Sequence, residues 1–379
     1  MLNLRIRNIK YTLILIALLA FSFKSIASDR KFTIGIILGN PSSAASSYDQ
    51  EKLCIFEPMA VELHRKNQHV KFLFAYNQHS ILGTVKATQD LISQQVDLVL
   101  LPLISSQALA AKEILEAHNI PFLTSGTLDR LITDTSMSLS TMPSNKAQVR
   151  ALVKYAHQYF NQATFLTLTN IADPYSTSMS SSFSAALYQL NPRQKIHHYE
   201  FVHFDAEAVM SATQGIEVIF APLYNPHIAH LYAALAKRDK KIIILGPDSI
   251  GARHEFFSII GESSEHINLA FIKNWDNIVK GPNKDKFMAI QKTYCAHAHT
   301  APSFENIYSF DLMKLLESVI NNERYLTKAN VIARLKHSHY ISVLDGEKYQ
   351  FNDAGFNKKT LYLSQISGTS TILSKLAGN

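Results

Sequence analysis

Cysteine is almost missing: Cys54 and Cys295 are the only two in 379 residues. That excludes a fold built on a dense disulfide framework. No Gly-x-Gly-x-x-Gly, no phosphate loop ending Gly-Lys-Ser/Thr and no Gly-x-Ser-x-Gly elbow occurs. Their absence argues against a dinucleotide enzyme, an NTPase and a common hydrolase. No nucleophile–base pair is visible either, so an enzyme is not expected. Lys and Arg are scattered among the acids, which excludes a nucleic-acid stripe. Past the first thirty residues no apolar run is long enough to cross a bilayer. Tandem repeats, low-complexity tracts and long linkers are also lacking.

The N-terminus, by contrast, carries a clear pattern. Arg5, Arg7 and Lys10 form a basic start, an apolar run follows over 11–23, and Ser25-Ile26-Ala27 supplies small residues at a cleavage site. This reads as a secretory signal peptide over 1–27, the competing reading being an uncleaved anchor. No cysteine follows directly for lipidation, so a soluble mature chain starting at Ser28 is expected. The leader holds four basic residues and no acid, so its removal takes the formal charge from +7 to +3. Export would permit a disulfide, but distance along the chain does not decide whether Cys54 and Cys295 meet.

The mature chain alternates short apolar runs with helical spacing. Strands are expected at 32–38, 70–76, 97–103, 121–124, 164–168, 218–223 and 242–245, most of them apolar on both faces. Between them, Ala108, Leu109, Ala111, Ile114 and Leu115 recur at helical intervals, as do Val149, Leu152, Val153 and Ala156. A late helix carries Ile307, Phe310, Met313, Leu316 and Ile320 on one face. Pro58 falls inside the first helical pattern and predicts a start or a kink there. Strand–helix alternation means parallel α/β sheets. It runs twice, with a break at 140–145, so two doubly wound lobes are expected.

Ligands of open parallel sheets bind beyond the carboxyl ends of the strands. Those ends carry Ser105 and Ser106, then Gly126 and Thr127, then Asp173-Pro174-Tyr175, then Tyr224, then Asp248. Ser105 at a helix start, Gly126 and Thr127 suit an anion such as a carboxylate. Asp248 suits an ammonium group, and Tyr175 and Tyr224 offer flat walls with polar tips. Each also has a plain reading as cap, turn or packing residue. Together the set suits a zwitterion.

At these residues the chain resembles the type I periplasmic binding proteins of ABC transporters, in particular the leucine/isoleucine/valine-binding group. Ile34 to Leu38, Tyr48-Asp49-Gln50, Leu101 to Ser105, Pro121 to Thr127, Asp173-Pro174-Tyr175, Tyr224-Asn225-Pro226 and Gly246 to Gly251 carry the likeness. Tyr308 to Asp311 and Gly346 to Gly355 extend it along the mature chain. The departures are Leu101 for a usual Gly, a loop one residue shorter before Thr127, Asp248 for a longer glutamate, and Ser176 for a Gly.

The resemblance implies a type I periplasmic-binding fold with a three-crossover hinge. The first lobe is then 28–142 with 270–345 and the second 143–269 with 346–379. It implies a periplasmic monomer that closes around an amino acid or similar small carboxylate and serves an inner-membrane ABC permease. A sensor of the same fold without transport is the alternative. Tyr48, Ser105, Ser106, Gly126, Thr127, Tyr175, Tyr224 and Asp248 form the implied ligand site. No cofactor or metal is expected: Cys295-x-His297-x-His299 matches no standard zinc spacing. The pairs His197-His198 and His337/His339 read as surface residues.

Overall fold

Strands that are apolar on both faces need cover on both, and each lobe supplies it with helices. A computed structural model describes residues 30–40, 47–237, 242–250, 254–266, 268–295, 302–321, 326–367 and 370–376. The expected leader, 1–27, lies outside the described residues.

In the first lobe, β1 (Phe32–Leu38) is buried along its whole length. It pairs in parallel with β2 (Val70–Tyr76) on one side and β3 (Leu98–Leu101) on the other. β4 (Phe122–Thr124) and β5 (Ser138–Ser140) continue the sheet in the order β2-β1-β3-β4-β5, all parallel. Helices α1 (Ser47–Lys66), α2 (Ile81–Ser93) and α3 (Ser105–Ala117) make the crossovers that parallel strands require. Successive strand residues face opposite sides, so Leu98 and Leu100 join one core while Val99 and Leu101 join the other. Each such wholly buried leucine contributes roughly 1.5–3 kcal/mol. Leu101, where the resembled family has a glycine, therefore fills core space rather than opening the strand end.

The second lobe repeats the plan. It contains α4 (Asn145–Phe160), β6 (Phe165–Asn170), α5 (Pro174–Leu190), β7 (Ile196–Phe201), α6 (Ala206–Ala212), β8 (Val218–Phe220), α7 (His227–Leu235), β9 (Ile243–Gly246), α8 (His254–Ile260) and β10 (Asn268–Lys273). The chain then returns to the first lobe with α9 (Lys284–Tyr294), α10 (Phe304–Ile320) and α11 (Lys328–Lys336). It ends in an antiparallel hairpin, β11 (Tyr362–Ser367) and β12 (Ser370–Lys375), added to the edge of the second sheet beside β10. The full order there is β12-β11-β10-β9-β8-β6-β7.

Three expectations shift. Pro58 does not start its helix: α1 opens eleven residues earlier and runs through it. The second crossing comes after β10, because Ala270, Phe271 and Ile272 lie in second-lobe cores and Trp275 in the first-lobe core. The third comes later than 345, since Tyr349 and Phe356 pack in the first lobe and Phe356 bridges to Ser140 of β5. Both shifts follow from strand pairing between residues distant in sequence.

Cys54 of α1 and Cys295 just after α9 form a disulfide, their Cα atoms 5.0 Å apart across 241 residues of sequence. Asn306 at the start of α10 donates to the carbonyl of Glu51 at 2.7 Å, setting α10 beside the same end of α1.

Candidate ligand-binding site

Helices α3 and α5, one from each lobe, each follow a strand end and approach each other. On the first-lobe side the polar groups are committed to one another. Ser105 opens α3 but does not cap it, the cap position being Ile104. Its buried Oγ instead accepts from the backbone amides of Thr127, at 3.0 Å, and Leu128, at 3.3 Å. The Gly126 amide donates to Thr124 Oγ1 at 2.9 Å, and Ser140 Oγ donates to the Gly126 carbonyl at 2.7 Å.

Gly126 is packed rather than open: a Cβ there would sit 2.3 Å from Leu131 Cδ1. A side chain at this position would therefore have to displace Leu131. Thr127 is buried, Ser106 half-buried, and Tyr48 lies in the first turn of α1 with its side chain outside the described residues.

The second-lobe side is organised around a carboxylate. Asp173 caps α5 by accepting the Tyr175 amide at 3.1 Å, with Pro174 at the first turn where it costs no helix bond. This cap sets Tyr175 so that its phenol donates to Asp248 Oδ1 at 3.2 Å. The Tyr224 ring lies 5.2 Å from that of Tyr175, tilted by 33°. Asp248 starts a short 3-10 turn after β9. Its Oδ2 accepts from Asn274 Nδ2 at 3.4 Å, and its amide donates to Gln148 Oε1 at 3.0 Å. Burial pushes the Tyr175 phenol well above its ordinary range, and the Asp248 charge adds to the effect. Tyr175 therefore remains a neutral donor at any working pH. Burial likewise raises the Asp173 carboxyl, against the backbone bonds that lower it.

The structure thus brings Tyr175, Tyr224 and Asp248 together, and joins Ser105 to Thr127 in a separate knot. Sequence reasoning missed Gln148, Asn145 and Asn274. Gln148 lies three residues after Asn145 on the buried face of α4, which read only as helix. Asn274 follows β10, a strand that had no expectation. Such a site can accept hydrogen bonds from a cation at Asp248 and cover it with two aromatic rings.

Among the described residues, no group of three or more His, Cys, Asp or Glu side chains is placed to hold a metal. Cys295 is in the disulfide, and His297 and His299 lie outside the described residues. His197, His198, His337 and His339 are exposed. No described helix is long and apolar enough to cross a membrane.

Comparison with curated proteins gave no match. Solved structures give the fold. A leucine-binding protein from Thermotoga maritima superposes with a TM-score of 0.77 at 16% identity, over 91% of this chain and 98% of its own. The branched-chain amino acid transporter substrate-binding protein of Streptococcus pneumoniae, in complex with isoleucine, gives 0.75 at 16%, over 92% and 99%. An ABC transporter solute-binding protein from R. palustris, in complex with benzoate, gives 0.69 at 14%, over 92% and 98%. The sequence profile described as periplasmic binding protein matches residues 67–371. With two α/β lobes built on mainly parallel sheets in the type I form and a profile match over most of its length, the chain belongs to the periplasmic binding protein family.

Proposed function

We propose that the protein is a periplasmic solute-binding receptor. It captures an amino acid or similar small carboxylate by closing its lobes and presents it, as a monomer, to an inner-membrane ABC permease. The single observation that carries this reading is Asp248, held by the Tyr175 phenol and the Asn274 amide and walled by Tyr175 and Tyr224. A carboxylate fixed this way is matched to an ammonium group. The start of α3 and the Ser105–Thr127 loop lie on the other lobe, where a carboxylate would dock after the knot of hydrogen bonds loosens. The three related structures have leucine, isoleucine and benzoate in their names, all of them small carboxylates, which agrees with this choice. Closure would follow ligand docking on one lobe and stabilisation of the closed form by the other.

A sensor without transport is the second reading. It is favoured by the amides of Gly126, Thr127 and Leu128 being satisfied by the protein's own Thr124 and Ser105.

A thermal-shift screen of purified mature protein against amino acids, amides and small carboxylates separates the two. A ligand that binds only the native state raises the melting point by mass action. The transport reading expects at least one amino acid to do so at micromolar concentration; a flat screen favours the sensor.

A further inference from the structure

The three segments that cross between the lobes each carry a buried asparagine with an amide atom that lacks a protein partner among the described residues: Asn145, Asn274 and Asn357. Asn274 shares Asp248 with Gln148, and Asn145 precedes Gln148 by one turn on α4. Asn145 donates its backbone N–H to the Thr127 carbonyl at 2.7 Å, yet neither its Oδ1 nor its Nδ2 has a protein partner, although the residue is wholly buried. Gln148, one turn along α4 and also wholly buried, spends its Oε1 on the Asp248 amide and leaves Nε2 unpartnered. Asn274 spends its Nδ2 on Asp248 Oδ2 and leaves Oδ1 unpartnered. The group runs from Thr127 of the first lobe to Asp248 of the second, along the line where the proposed ligand lies. Buried polar atoms in native proteins are nearly always bonded, and an unmet one is costly. One free amide donor, on Gln148, and one free carbonyl acceptor, on Asn274, therefore belong to side chains bonded to Asp248, and the donor and acceptor of Asn145 lie one turn back along α4.

We infer that Asn145, Gln148 and Asn274 form a carboxamide subsite. The preferred ligand is a carboxamide amino acid, or a comparable small amine bearing an amide, rather than a branched aliphatic one. The inference rests on the amino-acid reading of the site. Asn145 Nδ2 and Gln148 Nε2 donate to the ligand carbonyl; Asn145 Oδ1 and Asn274 Oδ1 accept from its NH2 group. A hydrocarbon side chain leaves all four atoms unmet, and sites built to hydrogen-bond reject analogues that lack the matching group. A carboxylate side chain brings a second negative charge next to Asp248.

The test is calorimetric titration of the mature protein with L-glutamine, L-asparagine, L-leucine, L-isoleucine and L-glutamate. At least one carboxamide should bind about tenfold or more tighter than leucine, isoleucine and glutamate. Asn145→Leu keeps the branched outline and the number of heavy atoms, keeps the backbone bond to Thr127 and removes both amide atoms. It should cut carboxamide affinity about tenfold while leaving the melting point unchanged or raised, because a hydrocarbon replaces an unmet amide; a merely structural asparagine would lower it. Gln148→Glu keeps the acceptor for the Asp248 amide and removes the donor, so a second variant remains should the first not fold. Its readout is the ratio of carboxamide to leucine affinity, which a charge near the shared ammonium does not alter. Leucine or isoleucine binding as tightly as the carboxamides overturns the inference and leaves the amino-acid reading standing. A carboxamide preference that survives both substitutions also overturns it. Binding of no amino acid at all removes both.

Discussion

In the first lobe α1 is tied to its neighbours by covalent and ionic links. The Cys54–Cys295 bond joins it to the end of α9, Glu62 meets Lys286 of α9 at 2.9 Å, and Lys66 meets Glu317 of α10 at 3.1 Å. The second lobe has neither cysteine and relies on rings and aliphatic packing. Phe183 of α5 stacks on Phe220 of β8 with centroids 4.0 Å apart, and Phe165 of β6 lies 6.1 Å from Phe183. The polar groups follow the same division. Around Ser105 they are satisfied within the first lobe, whereas around Asp248 they converge from α4, α5, β9 and the segment after β10. The comparison teaches that one lobe is a braced platform and the other carries the side chains that recognise charge.

Removing the brace is the strongest way to test that contrast. Cys54→Ala with Cys295→Ala releases a 241-residue separation, and loss of a native disulfide typically costs about 2–5 kcal/mol. Equilibrium denaturation should show that loss. Hydrogen exchange should place the faster-exchanging amides in α1, α9 and α10, with β6 and β8 unchanged. A uniform loss of protection over both lobes would break the comparison.

Ser105→Ala is expected to act on stability first. It strips the acceptor from two buried amides, those of Thr127 and Leu128, and should lower stability by about 1–3 kcal/mol. A thermal melt gives the value. An unchanged melt would mean that the knot contributes nothing in solution.

The smallest effect is in acid. Burial raises the Glu62 carboxyl, but its bonds to Lys66 and Lys286 outweigh that and hold it at about 2, below its ordinary 4.5. Glu317 is lowered in the same way by Lys314 and Lys66 against burial. A carboxylate depressed on folding stabilises above its unfolded value and loses that contribution as pH falls through the folded one. The brace should therefore weaken between about pH 4.5 and 2. Each exposed pair is worth about 0.2–1 kcal/mol. Glu62→Gln should flatten the pH dependence of stability in that window; an identical acid profile would remove Glu62 from the account.

Much of the architecture is legible in the sequence because burial on both faces writes continuous apolar runs. β1, buried throughout, matches its expected span residue for residue; β2, an edge strand with only Val70 buried, does so because its sequence is apolar but for Lys71. β7 is an edge strand whose His197, His198 and Glu200 face solvent, so no such run marks it. β5 is three residues with two serines that are buried but hydrogen-bonded. At the site, Tyr175, Tyr224 and Asp248 could be placed together because each follows a strand that could be read. The Ser105 knot depends on the exact path of a loop one residue short of the resembled pattern. Gln148 matters through a partner a hundred residues away and Asn274 through its place after an unforeseen strand, while Asn145 reads only as a helix start, and periodicity carries no trace of these roles.

The measurement that tests the account most directly is calorimetry on Asp248→Asn with the amino acid found by screening. The substitution keeps the shape and removes the charge. Truncating one partner of a buried charged pair typically costs about 2–5 kcal/mol, roughly thirtyfold to several-thousandfold in affinity. The account predicts a loss in that range with circular dichroism unchanged. Binding as tight as that of the parent would contradict it, and with it the assignment of Asp248 to a ligand ammonium.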